Sequence, residues 1–393
     1  MNWKTNITHQ NILPADWPNG CLVGRVWRPD RQGPSIVVVR DGALLDISET
    51  FPTMRDLCEA QKPAESVSAL SGEPVGTLDE LLRNSPPDQR DPRKPWLLTP
   101  IDLQAIKAAG VTFAVSLLER VIEEQARGNP QESSAIRNEI VSSVGQALDK
   151  LKPGSRQAAS LKELLIKKGL WSQYLEVGIG PDAELFTKAQ PMSAVGYGED
   201  AGFHPMSSWN NPEPEVVLIV SSSGEIKGAT LGNDVNLRDV EGRSALLLGK
   251  AKDNNASCAI GPFIRLFDQT FSLQDVRQME VQMSIHGEDD FHLHAISSIS
   301  QISRDPTDLA AQMIGPNHGY PDGVVLFLGT MFAPTKDRDV SGMGFSHKIG
   351  DIVQVRSDKL GALVNRMRHT HDCPPWNFGA AQLMRNLARR RLI

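Results

Sequence analysis

The sequence predicts an α+β, β-rich fold with a smaller N-terminal β domain and a helical insertion. Three observations carry that prediction. Short aliphatic runs, at residues 36–39 and 216–220, recur between Gly/Pro/Asn-rich loops, which suits buried strands. Apolar residues at helical spacing are confined to about residues 99–172. A chain of 393 residues exceeds one compact core, and a hydrophobic fraction of 40%, to which 32 glycines add, excludes wholesale disorder.

Residues 1–95 read as the N-terminal β-rich domain. Residues 21–27, 35–39 and 43–47 alternate or cluster as strands do, and Asp41-Gly42 between two of them is a hairpin signal. A short helix is expected over 54–61, and 72–98, rich in Gly, Pro, Asp and Arg, reads as a connecting loop. Residues 96–393 form the larger C-terminal domain that carries the chemistry, with the helical insertion at about 130–172. Within 99–172, Ile101, Ala105, Ile106 and Ala109, then Phe113, Leu117 and Val121, fall at helical spacing. Further patterns cover 132–151 and 161–170. From about 174 strands return, at 215–220, 280–285, 323–328 and 352–356. One helix is signalled by Asp305-Pro306-Thr307.

Composition narrows the function. Cys21, Cys58, Cys258 and Cys373 have no CxxC spacing, so neither a disulfide framework nor a zinc ribbon is expected. A net charge of −6 argues against a nucleic-acid partner. No aliphatic run approaches the ~20 residues of a membrane span. No apolar segment follows Met1 to Asn6, so a cytoplasmic protein without membrane contact is expected.

The most informative stretch is Asn210-Asn211-Pro212-Glu213-Pro214-Glu215, which leads into an apolar run. Strand geometry puts Glu213 and Glu215 on one face. Like charges at the head of a buried strand are costly unless neutralised, and a hard divalent cation with carboxylate ligands would do so. A hairpin through Ser221-Ser222-Ser223-Gly224 returns the chain to that neighbourhood, where Asp234 would be a third carboxylate. Spacing alone leaves open a second reading, exposed charges at strand ends.

Glu213-Pro214-Glu215, Asp234 nineteen residues on, and Arg238-Asp239 resemble the fumarylacetoacetate hydrolase family, which reads E-x-E followed by N-D-x-x-x-R-D. Phe186-Thr187-Lys188 is similar to its F-x-K segment. Lys252 upstream of Gly261-Pro262, Gly329-Thr330, and Gly350-Asp351-Ile352-Val353 resemble its site lysine, its late G-T loop and its G-D-x-V turn. The resemblance spans about 100–356. It implies a mixed β-sheet roll or barrel and a Mg²⁺ ion (or Mn²⁺) on Glu213, Glu215 and Asp234. It further implies a small-molecule 2-oxo acid chelated by that ion, with Lys252 nearby and Thr330 on the substrate carboxylate. Lys188, Arg238 and Phe113 are implied as further substrate contacts, and a homodimer or homotetramer as the assembly.

One departure sharpens the expectation. Where the hydrolytic members carry H-x-x-E, this chain has Ser116 and Glu119. Serine lacks the imidazole that serves as a base near neutral pH. Cleavage of a C–C bond in a 2,4-dioxo acid is therefore the alternative, and a non-catalytic oxo-acid-binding protein the second alternative. The leading expectation follows the family's dehydratases: a lyase that converts a 2-keto-3-deoxy-pentonate to 2,5-dioxopentanoate in pentose catabolism. Lys252 is the expected base, its pKa lowered next to the metal. Glu119 is the expected acid, with Ser116 beside it.

Weaker signals have simpler readings. His286 to His294 reads as a polar hairpin, and His369-Thr370-His371-Asp372 as a loop. His204, close upstream of Glu213, reads either as a contact to substrate hydroxyls or as a surface-loop histidine.

Overall fold

The computed structural model describes residues 7–133, 136–137, 151–167, 169, 171–332, 336–341 and 343–393. Its strands are β1 (Leu22–Arg28), β2 (Gly33–Arg40), β3 (Ala43–Asp46), β4 (Glu73–Thr77), β5 (Trp96–Leu98) and β6 (Ala105–Gly110). There follow β7 (Glu184–Ala189), β8 (Asp200–Phe203), β9 (Asn210–Asn211), β10 (Pro214–Val220), β11 (Ile226–Asp234) and β12 (Asn236–Leu237). The last are β13 (Cys258–Leu266), β14 (Glu280–His286), β15 (His292–Ser298), β16 (Val324–Phe327), β17 (Ile352–Ser357) and β18 (Gly361–His369).

An 11-stranded sheet runs β4-β3-β2-β1-β13-β11-β10-β16-β6-β7, with β5 added to β1. Among the described strands of this sheet, only β16 and β6 pair in parallel. A five-stranded sheet, β15-β14-β17-β18-β8, packs beside it, and β9 pairs β12 alone. Neither sheet closes on itself, so the architecture is a mixed, roll-like one.

The N-terminal strands belong to the large sheet: β1 pairs antiparallel with β13, Leu22 opposite Arg265. The boundary expected at 95/96 thus crosses one hydrogen-bonded sheet. Asp41 and Gly42 turn β2 into β3 with φ values of 48° and 75°. Positive φ at both positions is what a tight two-residue hairpin requires.

β10 is buried along its whole length. Its side chains alternate between two cores, Val216, Leu218 and Val220 entering one and Val217 and Ile219 the other. That explains an unbroken aliphatic run in place of a polar/apolar alternation. The expected hairpin forms: β10 and β11 pair antiparallel through the 221–224 turn, with Glu215 opposite Gly232.

Two stretches differ from expectation. Residues 105–110 form β6, a strand and not a helix. Ala105, Ile106 and Ala109 fit both periods, and pairing with β16 decides in favour of the strand. Residues 72–98 hold β4, β5 and the helix Leu78–Asn84, started by a reciprocal Thr77–Glu80 capping box. Of the expected helical insertion, Arg156–Lys167 is a helix, whereas 134–135, 138–150, 168 and 170 lie outside the described residues. Asp305 caps the helix Pro306–Met313 by accepting from the Thr307 N–H, as its sequence signalled. All four cysteines are free. Among the described residues no helix is long and apolar enough to cross a membrane.

Candidate metal centre and active site

The β10–β11 hairpin brings the three carboxylates together. Ligand atoms of Glu213, Glu215 and Asp234 all lie within 4.8 Å of one another, and all three residues are buried. Backbone pairing fixes them. The Asp234 N–H donates to the Glu213 carbonyl at 2.9 Å, and the Glu213 N–H donates to Asn233 Oδ1 at 3.0 Å. The Gly329 N–H donates to Glu215 Oε2 at 2.6 Å. Gly329 has φ +90°, and a Cβ there would sit 2.1 Å from Thr112 Oγ1, so this donor position needs glycine.

Two lysines enclose the trio. Lys252 Nζ lies 2.5 Å from Glu213 Oε2 and 3.1 Å from Asp234 Oδ2. Lys188, expected to contact substrate, is fully buried behind the trio. Its ammonium sits 2.8 Å from Asp234 Oδ1 and donates to the backbone carbonyls of Lys252 at 2.5 Å and Val235 at 3.2 Å. With Ser257 Oγ at 3.4 Å as a further acceptor, the partners around this ammonium are all groups of the protein itself.

The helix Ala114–Gln125 supplies the opposite wall. Its apolar face, Leu117, Val121 and Ile122, packs with Leu165, Tyr174 and Leu175. Its other face turns Ser116, Glu119, Arg120 and Glu123 to a cavity of about 40 Å³. Arg120 is ion-paired with Glu213, with Glu123 at 2.5 Å and with Glu241 at 3.3 Å. Arg238 bonds Glu123 at 2.6 Å and Glu119 at 3.3 Å, and its guanidinium stacks 4.1 Å above the Trp209 ring. Glu119 is also paired with Arg137. The Ser116 hydroxyl donates to the Phe113 carbonyl at 3.0 Å, a bond internal to the helix.

Glu184, Phe186, Glu215, Lys252 and Thr330 also line the cavity. The Thr330 Oγ accepts from the Phe332 N–H at 3.0 Å. Two expected substrate contacts lie elsewhere. Phe113 precedes the helix with its ring in the core. His204 stands on a loop, where its Nδ1 accepts from the Met206 N–H at 3.1 Å. Neither lines the cavity.

Seven carboxylates gather here among the described residues: Glu119, Glu123, Glu184, Glu213, Glu215, Asp234 and Glu241. Five cations face them: Arg120, Arg137, Lys188, Arg238 and Lys252. Fully ionised, the set falls short by the charge of one divalent cation. The carboxyl groups register that deficit. Burial, with Asp234 and Glu213 beside it, pushes the Glu215 pKa well up. Burial, with Glu241 nearby, pushes Glu184 up to about 7. Asp234 is held below the usual range, because the Lys188 and Lys252 ammoniums outweigh burial. Without a cation on the trio, burial works to lower the Lys252 pKa, but Asp234, Glu213 and Glu241 raise it overall. Three close carboxylates outweigh desolvation.

The donor set suits Mg²⁺ or Mn²⁺. Three buried carboxylates are hard oxygen ligands, and the cavity has room for an ion with a few waters. Arg120, Glu123, Glu184 and Glu241 were not singled out from sequence. A signal existed for two of them: Ser116, Glu119, Arg120 and Glu123 fall at i, i+3, i+4 and i+7, one face of a helix. Glu184 and Glu241 reach the site only through tertiary folding.

Residues 220–368 match the fumarylacetoacetate (FAA) hydrolase C-terminal family. The chain is 29% identical over 185 residues to a 2-dehydro-3-deoxy-D-arabinonate dehydratase of Saccharolobus solfataricus. That match covers 47% of this chain and 58% of that relative. It is 27% identical over 266 residues to a probable 2-keto-3-deoxyxylonate dehydratase of Haloferax volcanii, covering 68% and 73%. Among solved structures it is similar to a 2-keto-3-deoxy-D-arabinonate dehydratase complexed with magnesium and 2,5-dioxopentanoate. The TM-score is 0.62 at 20% identity, over 88% of this chain and 99% of that one. That likeness shows a shared fold.

Proposed function

We propose that this chain, whose residues 220–368 match the FAA hydrolase C-terminal family, is a Mg²⁺-dependent dehydratase. It removes water from a 2-keto-3-deoxy-pentonate and releases 2,5-dioxopentanoate. The observation that carries the reading is the buried Glu213–Glu215–Asp234 trio with Lys252 set across it. Both curated relatives bear dehydratase names, which supports the same substrate class.

Glu213, Glu215 and Asp234 would hold Mg²⁺, which would supply Lewis-acid polarisation of the 2-oxo acid and would relieve Lys252 of its pairing with Glu213 and Asp234. Lys252 Nζ, the ammonium nearest the trio, is the group placed to take the C3 proton once those carboxylates no longer hold it charged. The Thr330 hydroxyl at the cavity wall positions the substrate carboxylate. A proton must also reach the departing C4 hydroxyl. Glu184 keeps a proton up to about pH 7 and lines the cavity, whereas Glu119 is engaged as a carboxylate by Arg137 and Arg238. Glu184 is therefore the better acid, and Glu119 holds Arg238 in place.

Hydrolysis of a dioxo acid finds no support. No histidine lines the cavity among the described residues, and Ser116 spends its hydroxyl on the helix backbone. Four free cysteines suit a reducing cytoplasm, and a homo-oligomer completes the reading.

The test is turnover by EDTA-stripped protein with Mg²⁺ restored, offered 2-keto-3-deoxy-pentonates and a 2,4-dioxo acid, with products identified by mass. Loss of water to give 2,5-dioxopentanoate is expected. Cleavage of the dioxo acid would overturn the reading.

A further inference from the structure

Strand β18 ends at His369, and the next three residues turn away from the sheet. The turn is held at several points. The Thr370 N–H donates to the Phe203 carbonyl at 3.1 Å, and the Asp372 N–H to the His369 carbonyl at 2.9 Å. Asn255 donates its side-chain amide to the Thr370 carbonyl at 2.9 Å and the Pro374 carbonyl at 3.3 Å. The His369 ring stands edge-on against Phe203, centroids 5.0 Å apart. The backbone of this turn and the His369 ring are therefore set by the fold.

Three side chains of the turn converge. Nitrogens of His369 and His371 and an oxygen of Asp372 all lie within 4.8 Å of one another. The two rings are 5.5 Å apart, and His371 Nε2 is 3.6 Å from Asp372 Oδ1. The His371 and Asp372 side chains are 63% and 38% exposed, so water can fill a remaining coordination position. A hydrogen-bonded ion pair between them would be worth little in that setting.

The geometry points to His369, His371 and Asp372 as a surface site for a borderline divalent metal of the Zn²⁺ type. Two imidazoles and one carboxylate are the donor set that such ions take, with an open position for water. Mg²⁺ prefers oxygen ligands and would leave this site to softer ions. The chain then carries two cation sites of different hardness: an all-oxygen one in its core and a nitrogen-rich one at the end of β18. Asn255, on the loop after Lys252, ties the second to the wall of the first.

The test is calorimetric titration of the full chain with zinc chloride in millimolar Mg²⁺, which occupies the carboxylate trio. One zinc equivalent is expected at micromolar concentration, with binding at least about tenfold weaker in His371→Ala and in Asp372→Asn. Both residues are exposed, so neither change threatens the fold. Uptake should survive in Glu215→Gln, which disables the trio. It should also survive in His292→Ala, which breaks the other close histidine pair, His286 and His292, whose Nδ1 atoms lie 2.8 Å apart. No uptake at a hundredfold higher zinc would overturn the assignment. So would uptake untouched by His371→Ala, or uptake lost only with Glu215 or His292.

Discussion

Lys188 Nζ lies 2.8 Å from Asp234 Oδ1, and neither side chain reaches solvent. A buried ammonium thus backs the carboxylate that arrives last in the trio. Removing one member of a buried pair leaves the other charge uncompensated, at a typical cost of about 3–5 kcal/mol. Lys188→Met should unfold at lower denaturant concentration and bind Mg²⁺ roughly 10–100-fold more weakly, the usual cost of losing an orienting partner. Calorimetric Mg²⁺ titration checks this; unchanged affinity would return Lys188 to a substrate role.

Glu215→Gln keeps the shape of the side chain and its bond from the Gly329 N–H, but removes a charged ligand. Dehydratase turnover should be lost while far-ultraviolet circular dichroism stays unchanged. Turnover that survives would refute the metal assignment.

Magnesium should stabilise the protein, since it relieves repulsion among buried carboxylates. Saturation to about 100 times Kd would contribute about 2.7 kcal/mol. Thermal unfolding with and without Mg²⁺ reads this directly. The upward shift in Tm should shrink in Glu215→Gln and be absent with Ca²⁺-free EDTA buffer.

Glu184 gives a pH signature. Its folded pKa is about 7, against an ordinary 4.5, so the folded state holds an extra proton between these values. Stability contributed by that proton is present below about pH 4.5 and is lost as pH rises through 7. Wild type should lose up to about 3 kcal/mol more than Glu184→Gln across that window. Chemical denaturation at several pH values measures the difference, and equal slopes would remove Glu184 as the retained proton. The same variant should turn over more slowly.

How much of this was legible follows from which contacts are local. Glu213, Glu215 and Asp234 share one hairpin, so strand period and turn length suffice to bring them together. The hairpin at Asp41-Gly42 and the Asp305 cap are local in the same sense. Ser116, Glu119, Arg120 and Glu123 share one helix face, so the helix period alone suffices to bring all four to the cavity. Glu184 lies two residues before Phe186-Thr187-Lys188 and Glu241 two after Arg238-Asp239, but neither belongs to those motifs, and only tertiary folding turns both into the cavity. Lys252 stands against Glu213 and Asp234, and its charge state depends on three carboxylates from elsewhere in the chain. The strand at 105–110 shows the limit of periodicity, since its register comes from a partner more than two hundred residues later.

The pairing of Leu22 with Arg265 has a consequence for how the protein is made. On the ribosome β1 emerges with β2 as a ready partner, but its other edge at Leu22 and Val23 waits for β13. At about 5–20 residues per second that wait is on the order of ten seconds or more. Through it the chain presents an apolar strand with unmet backbone donors and acceptors, the feature that recruits other chains into aggregates. Soluble yield of the nascent protein should therefore depend on translation speed and on chaperone supply, and fragments that stop before β13 should collect in the insoluble fraction.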